Sequence, residues 1–253
     1  MLVSTRLRNA RLLPDAELQE QVKISYAQVL AAAQSAGRQP VRFWNHVPGI
    51  NITASDQRDR YMVFNAGRYE ACVHAYGNAS TFDNHIATAT GVGCAGADLV
   101  IHCLAADAPG MPINNPRQVA PYHYSQRFGP LPPCFARAMR INPRLLLVGG
   151  TAAVRGEDSV YREDLVRQVR ETFTNLAAVV SSARGLKFFS RAAASHRACY
   201  RELRAYLPNI EHQPRVGRMI QENFPNLRRV EFLAADLCRP ELLVEIEGIA
   251  ELS

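Results

Sequence analysis

The sequence predicts an α+β protein built from two tandem units, each a mostly β sheet with helices packed on one face. Two observations predict this fold: helix and strand patterns occur in the same order in both halves of the chain, and short segments of the two halves align. The composition is that of a globular protein, because 47% of the 253 residues are hydrophobic and 21% are charged. No apolar run approaches the ~18 residues that a membrane-spanning helix requires.

The first half of the chain begins with a long helix. It is predicted from Asp15, a suitable N-cap, to Gly37, because apolar residues recur between them at helical spacing. An aromatic and β-branched strand (residues 41–44), a second helix (57–68) and a buried strand (98–105) follow. A GxGxxG match at residues 91–96 precedes a strand rather than a helix, so we interpret it as a glycine turn and not as a nucleotide site.

The same order returns in the second half. A strand over residues 144–151 ends in two glycines and precedes a long amphipathic helix over residues 159–182. The elements predicted after it are a strand (186–189), a helix (196–207) and two strands (230–235 and 242–249).

The two halves align at two places, which indicates an internal duplication. Residues 25–29 align with residues 172–176, and residues 99–100 align with residues 243–244. The second alignment places Ile101 opposite Glu245. We expect a first unit over residues 1–106, truncated at its N-terminus, and a second unit over residues 107–253.

The charged residues favour a small anionic ligand. The chain has 29 basic and 23 acidic residues, a net charge of +6, and its only lysines are Lys23 and Lys187. Arginine binds planar carboxylates and phosphates with two parallel hydrogen bonds. Because the arginines are scattered and no recognition motif is present, we expect no nucleic-acid partner and no membrane partner.

The cysteines and the N-terminus predict an intracellular protein without a metal site. Six cysteines lie at irregular spacing with no CxxC pair, which indicates neither a disulfide scaffold nor a zinc site. The first 11 residues contain no apolar stretch of the kind that secretory signals have. We therefore expect a cytoplasmic protein with no metal and no cofactor.

Two carboxylates near the C-terminus form the strongest candidate for chemistry. In a strand starting at Glu241, alternation places Glu245 and Glu247 on one face and apolar residues on the other. If this face is buried, repulsion and desolvation raise a carboxyl pKa and provide a neutral acid near pH 7. If the strand lies at a sheet edge, both charges are simply solvated; the pattern leaves the two alternatives open.

Two further segments are pocket candidates. Residues 116–137 are rich in proline, aromatic and basic residues, and a loop of this kind can line a pocket with Tyr122, Tyr124 and Arg137; the alternative is an inter-domain linker. The small residues 149–153 allow a ligand or another backbone to approach closely.

Eight segments together resemble the chorismatase family, the chorismate-cleaving hydroxybenzoate synthases and hydrolases, a duplicated branch of the reactive-intermediate-deaminase (RidA-like) superfamily. The resemblance implies two tandem RidA-like (chorismate-mutase-like) units and no cofactor. The segments are FWNHVPGIN (43–51), DRYMVFNAGRYEA (59–71), ATGVG (89–93), NPRQVAPYHYS (115–125), FGPLPPCFARA (128–138), GGTAAVRGEDS (149–159), ETFTNLA (171–177) and ADLCRPELLVEIEG (235–248).

The resemblance also implies roles for individual residues. Glu245 would protonate the enolpyruvyl methylene of chorismate, after which the ether breaks and pyruvate leaves. Cys238 occupies the position that marks members producing 3-hydroxybenzoate. The resemblance implies that Arg137 and Arg191 bind the carboxylates of chorismate and that Tyr124 positions the substrate. It also implies that a small residue, either Ala152 or Ala153, influences which product forms.

Three departures from the family pattern keep other functions open. The chain lacks about the first quarter of a usual member, Phe128 replaces a tyrosine, and residues 190–203 differ. The alternatives are hydrolysis to a dihydroxycyclohexadiene carboxylate, imine hydrolysis as in the parent superfamily, and a non-catalytic binding or assembly homologue. The first unit would expose a sheet edge, which a second copy or a partner subunit would cover.

Overall fold

The computed structural model describes residues 1–53 and 58–252. The elements of the first half are β1 (Leu2–Leu7), α1 (Asp15–Ser35), β2 (Gln39–Pro48), α2 (Arg60–Tyr76), α3 (Ala79–His85), β3 (Thr88–Cys94) and β4 (Leu99–Ala106). Those of the second half are β5 (Met111–Ile113), β6 (Ala138–Asn142), β7 (Leu145–Thr151), β8 (Val154–Arg155), β9 (Asp158–Ser159), α4 (Leu165–Ala183), α5 (Ala193–Arg197), β10 (Tyr200–Leu207), α6 (Gln213–Asn223), β11 (Arg229–Ala234) and β12 (Glu245–Glu251).

The two main sheets repeat one topology. Their strand orders are β1-β4-β2-β3 and β11-β10-β12-β7-β6-β5. In each, a parallel pair (β2 with β3, β10 with β11) lies beside an antiparallel strand (β4, β12), which pairs with the strand before the long helix (β1, β7). The predicted α+β fold of two tandem units is therefore confirmed. Within the described residues the first sheet has no counterpart of β5 and β6.

The helices cover one face of each sheet, because each presents an apolar stripe. In the first unit the stripe of α1 packs with α2 on the alternate residues Leu99, Ile101 and Cys103 of β4. In the second unit α4 and α6 cover the corresponding face of β10 and β12. Capping side chains start two of these helices: Asp59 accepts from Met62 N on α2, and Asp164 accepts from Arg167 N on α4.

Matching bulges correct the internal alignment by one residue. β2 bulges against β4 beside Ala105, and β10 bulges against β12 beside Ala250, so these alanines are equivalent. Ile101 therefore corresponds to Ile246, and both lie in the cores beneath the helices. Val100 rather than Ile101 corresponds to Glu245, so the first unit has no acid at the equivalent position.

Three predicted elements are wrong. Residues 200–207, predicted as helix, form strand β10, because Leu203, Ala205 and Leu207 alternate into the core. Residues 186–189 form no strand, and residues 91–94 of the predicted glycine turn belong to β3. The helix predicted from residue 57 starts at Arg60; residue 57 itself lies outside the described residues.

The helix-free faces of the two sheets meet, and this contact positions the candidate site. Arg42 on β2 reaches Glu247 on β12, and Thr88 on β3 bridges to Ala136 just before β6. At Gly149 a Cβ atom would lie 2.5 Å from Thr88 Oγ1 and 2.6 Å from the Ala89 carbonyl oxygen, so the two backbones approach closely only because this residue is glycine.

The division at residue 106 stays a prediction; the first sheet ends at Ala106 and the second begins at Met111. All six cysteines are free thiols. In the described part of the chain, none of the helices has the combined length and apolarity that crossing a bilayer demands.

Candidate active site

A cavity of about 220 Å³ lies between the two units. The first unit lines it mainly from α2, and the second unit lines it from the loop before β6, the end of β7 and the loop before β12. The lining residues used below are Asp59, Tyr61, Asn65, Arg68, Tyr124, Phe128, Phe135, Arg137, Gly150, Ala152, Cys238, Arg239, Glu241 and Glu245.

Glu245 is a buried acid in this cavity. It is the first residue of β12, lies on the face opposite α4, and is only 5% exposed. Burial raises the pKa of its carboxyl from 4.5 to about 8, the charge of Glu247 adds to this shift, and Arg137 and Arg239 oppose it. Glu245 is therefore largely protonated at pH 7, as the buried alternative requires; the solvated edge strand is excluded because β12 lies between β10 and β7.

Glu247 lies two residues further along the same face of β12, and its pKa is shifted in the opposite direction. It is 4% exposed, and its carboxylate accepts hydrogen bonds from Trp44, Thr90 and Arg204 and pairs with Arg42 at 2.9 Å. Burial alone would raise its pKa, but Arg42 and these hydrogen bonds outweigh burial and lower it. Two neighbouring carboxyls thus hold different protonation states, which is how acid and base roles are separated in active sites.

Two other carboxyls line the cavity, and both are already engaged. Asp59 caps α2 by accepting from Met62 N at 2.7 Å. Glu241 lies 3.8 Å from Arg162. The side-chain carboxyl of Glu245, by contrast, makes no hydrogen bond with the residues that the structure describes, so its proton is available to a ligand.

Three guanidinium groups in the cavity have no carboxylate partner within the described residues. Arg68 is 1% exposed and donates to Asn65 Oδ1 at 2.7 Å. Arg137 donates to the Val119 carbonyl at 3.1 Å and to the Tyr124 hydroxyl at 2.5 Å. Arg239 donates to the Glu157 carbonyl at 2.8 Å and to Ser159 at 3.0 Å. A buried cation without a counter-ion is costly, so this arrangement is suited to an anionic ligand.

Aromatic rings separate these arginines into two groups. Arg68 and Arg137 lie against Phe135, with Cζ-to-centroid distances of 5.5 and 5.4 Å. Arg239 lies against Phe128 at 4.1 Å. Tyr124 touches both groups, because its hydroxyl accepts from Arg137 and its ring lies 5.6 Å from the Arg239 guanidinium carbon. The cavity therefore combines two groups of guanidinium side chains with aromatic walls.

The structure brings four further predicted residues to one place and leaves three outside. Tyr122 is one of the three, because it is buried against Phe82 in a separate cluster. Tyr124, Arg137, Cys238 and Ala152 line the cavity with Glu245. Ala153 is fully buried behind it, so Ala152 is the residue of the pair that faces the cavity. The prediction for Arg191 is wrong, because it lies exposed in the 3-10 turn Ser190–Ala192 against Phe189 and does not line the cavity.

Cys238 faces the cavity as a neutral thiol. Burial, followed by the nearby Glu245, raises its pKa to about 12. At neutral pH it therefore carries no thiolate and can only shape the cavity or form weak hydrogen bonds.

Sequence reasoning missed Arg68 and Arg239, and at Gly150 it predicted a close approach without identifying the group that approaches. Arg68 follows Phe64 by one helical turn, so the inward spacing of the α2 aromatics could have indicated it. Arg239 directly follows Cys238. Gly150 admits the Glu245 side chain: a Cβ atom there would lie 1.9 Å from Glu245 Oε1, and only three-dimensional packing reveals this constraint.

A family model for the N-terminal part of chorismatases, described as "Chorismatase FkbO/Hyg5-like, N-terminal", matches residues 4–105. A 3-hydroxybenzoate synthase of Streptomyces hygroscopicus is 32% identical over 248 residues, which are 94% of this chain and 72% of that protein. A chorismatase of Streptomyces rapamycinicus is 32% identical over 220 residues, 82% of this chain and 63% of that protein.

A solved structure gives the same result in three dimensions. The crystal structure of a chorismatase superposes with a TM-score of 0.81 at 28% identity, covering 98% of this chain and 73% of that chain. This match confirms the two-unit fold implied by the resemblance. The chain belongs to the chorismatase family.

Proposed function

We propose that the protein cleaves the enolpyruvyl ether of chorismate, releasing pyruvate and a hydroxybenzoate, with Glu245 as the general acid. The observation that carries this proposal is the pairing, in one cavity, of a protonated carboxyl with three guanidinium groups that lack carboxylate partners. Chorismate is a dicarboxylate with an acid-labile enol ether, so it requires both features. The names of the relatives support the same substrate.

The arginines would bind the two carboxylates of the substrate. Arg68 and Arg137 form one group of guanidinium side chains and Arg239 forms the other, with Tyr124 between them. Hydrogen bonds to charged groups contribute about 1.5–3 kcal/mol each, and bidentate geometry also fixes the orientation. This orientation would direct the enolpyruvyl group toward Glu245.

Glu245 would then transfer its proton to the methylene carbon of the enol ether. The carbon–carbon double bond supplies the electron pair for the new C–H bond, and an oxocarbenium-like centre forms at the ether carbon. The bond between the ether oxygen and the ring then breaks with its electron pair going to the oxygen, so pyruvate leaves and a ring cation remains. The cation becomes the hydroxybenzoate by losing one proton, which returns to the Glu245 carboxylate. A general acid of this kind contributes ~10²–10⁴-fold to the rate, most effectively when its pKa lies near the working pH.

The favoured ring product is 3-hydroxybenzoate. Together, pyruvate and 3-hydroxybenzoate contain the atoms of chorismate with nothing added, whereas hydrolysis to the dihydroxycyclohexadiene carboxylate adds one water. Cys238 and Ala152 both face the cavity and would influence this choice through its shape. Cys238 acts there as a neutral thiol, so no covalent cysteine adduct is part of the proposal.

The test is incubation with chorismate, with enzymatic assay of pyruvate and chromatographic identification of the ring product. We expect pyruvate and 3-hydroxybenzoate in equal amounts, and loss of both in Glu245→Gln. If the ring product is the dihydroxycyclohexadiene carboxylate, the role of Glu245 as the acid stands and the assignment of 3-hydroxybenzoate is wrong. Chorismate that remains unchanged at high protein concentration, but binds, would show a non-catalytic binding homologue and overturn the proposal.

The remaining expectations concern partners and location. The outer edge of β1 pairs with no strand of the described residues, whereas its counterpart β7 pairs with β6. A second copy or another subunit would cover this edge by strand pairing, and the protein would work in the cytoplasm. Analytical ultracentrifugation tests the first expectation: a monomer at micromolar concentration would contradict self-pairing.

A further inference from the structure

A bulge interrupts β7 directly opposite Glu247. Thr151 pairs with Ile246 and Val148 pairs with Gly248, so β7 advances three residues where β12 advances two. A bulge removes a backbone group from the regular ladder and redirects the strand. Here the N–H of Gly150 leaves the second sheet and donates to Thr90 Oγ1 of the first unit at 3.0 Å.

The hydrogen-bond direction through Thr90 is fixed by chemistry. A backbone N–H can only donate, so Thr90 Oγ1 accepts from Gly150 and its own hydrogen goes to Glu247 Oε2 at 2.5 Å. The other partners of Glu247, which are Arg42, Trp44 and Arg204, are also obligatory donors. Glu247 therefore accepts hydrogen bonds from three donors, pairs with Arg42 at 2.9 Å and remains an anion.

Glu245 rests on the same bulge. Its Oε1 occupies the space above Gly150 where a Cβ atom would lie 1.9 Å away. No hydrogen bond from the described residues holds the Glu245 carboxyl, and the backbone of Gly150 packs closely against it. The two hydrogen bonds of Thr90, one to Glu247 and one from the Gly150 N–H, thus connect Glu247 to the backbone against which the Glu245 carboxyl packs.

We propose that Glu247 is a positioning residue for Glu245: through Thr90 it holds the Gly149–Gly150 bulge in the shape that seats Glu245, and its negative charge adds to burial in favouring the neutral carboxyl. This inference rests on the proposed function of Glu245 as the acid. Glu247 itself does not line the cavity and donates no proton to a ligand.

The other groups that face Glu245 cannot supply this charge. Arg137 and Arg239, from the loops before β6 and β12, favour the ionised form of Glu245. Burial raises the pKa of Tyr61 on α2, of Tyr206 on β10 and of Cys238, so these groups are neutral at pH 7. Asp59 and Glu241 also line the cavity, but Glu247 is the carboxylate whose charge raises the pKa of Glu245 against the arginines.

The geometric part is tested with Thr90→Val and its conservative control Thr90→Ser. Valine matches threonine in shape but cannot link Gly150 to Glu247, whereas serine retains the hydroxyl. For chorismate turnover we expect Thr90→Val to lower kcat about tenfold or more with KM changed less than about twofold, because the arginines are untouched. Thr90→Ser should stay within about threefold of wild type. Equal kcat values for Thr90→Val and Thr90→Ser would show that the Thr90 hydroxyl does not position Glu245, and would overturn the geometric part of the proposal.

The charge part is tested with Glu247→Gln. Without the neighbouring anion Glu245 ionises at lower pH, so the alkaline limb of kcat/KM should move down by about one pH unit or more. An unchanged limb would overturn the electrostatic role. If this variant does not fold, the Thr90 pair decides the proposal.

An infrared titration of the Glu245 carboxyl band in the resting protein separates this inference from the proposed function. The band is assigned by its loss in Glu245→Gln, and its midpoint should fall in Glu247→Gln. This measurement uses no chorismate. A lowered midpoint in a protein that leaves chorismate unchanged would therefore overturn the proposed function alone, and an unchanged midpoint would overturn the role of Glu247.

Discussion

Arg68 places a fully buried positive charge in the cavity without a carboxylate to balance it. Its guanidinium contacts Asn65 and the rings of Phe64 and Phe135, and its Nε has no hydrogen-bond partner among the described residues. Such a group destabilises the free protein and is compensated when an anion binds. Removal of Arg68 should therefore stabilise the free protein and weaken the binding of an anionic ligand.

Replacing Arg68 with the apolar Met tests this trade-off. We expect Arg68→Met to raise the Tm of the free protein by a few degrees, about 1 kcal/mol, because it removes an unpaired buried charge. It should lower kcat/KM for chorismate by roughly 10–150-fold, the equivalent of one lost charged hydrogen bond of about 1.5–3 kcal/mol. Thermal unfolding and steady-state kinetics measure the two effects.

Arg191→Gln is the matched control, since Arg191 is exposed and distant from the cavity lining. It should change neither Tm nor kcat/KM appreciably. A kinetic defect in Arg191→Gln as large as that in Arg68→Met would contradict the assignment of the carboxylate-binding residues.

At the scale of the elements, strand β7 meets β12 at Gly150, and this position should be sensitive to substitution. Gly150→Ala would place a Cβ atom 1.9 Å from Glu245 Oε1, so the acid must move. We expect kcat to fall about 100-fold, as misplacement of a reacting group by about 1 Å does. Gly96→Ala is the control, because a Cβ atom at Gly96 meets nothing within 4 Å. Equal activity of the two variants would contradict the packing of Glu245 on Gly150.

The elements with strong periodicity were predictable, and those shaped by pairing were not. The helix from Asp15 and the strands near residues 230–235 and 242–249 are confirmed, within a few residues at their ends. β10 was predicted as helix because its bulge between Tyr200 and Glu202 interrupts the alternation of apolar residues. The glycine-rich β3 has little intrinsic strand propensity and is held by parallel pairing with β2.

The whole molecule assembles the site from both units, which limits what the sequence could predict. Glu245, Cys238, Tyr124 and Arg137 all belong to the second unit, and their motifs identified them. Arg68 comes from the first unit, more than 170 residues before Glu245 in the chain. No local pattern shows that α2 of one unit faces β12 of the other, because that proximity depends on how the helix-free sheet faces meet.

The raised pKa of Glu245 also makes the stability of the molecule depend on pH. In the unfolded chain this carboxyl titrates near 4.5, whereas in the folded protein it titrates at about 8. Between these values the folded protein holds a proton that the unfolded chain has lost, so this group lowers the free energy of unfolding as pH rises.

Glu245→Gln should remove this dependence. The variant should match wild type in stability near pH 4.5 and exceed it by on the order of several kcal/mol at pH 8. Denaturant unfolding at a series of pH values measures the difference. A difference that stays constant with pH would show that Glu245 titrates alike in both states.

The central claim is that a protonated Glu245 delivers the proton that cleaves the substrate. The pH dependence of kcat/KM for chorismate tests it most directly, because this quantity reports the ionisation of the free enzyme. Activity should be present below pH 8 and should disappear as pH rises, with a midpoint at about 8, the pKa of the buried carboxyl. A rate that falls with a midpoint near 4.5, or that persists undiminished well above pH 9, would contradict the account.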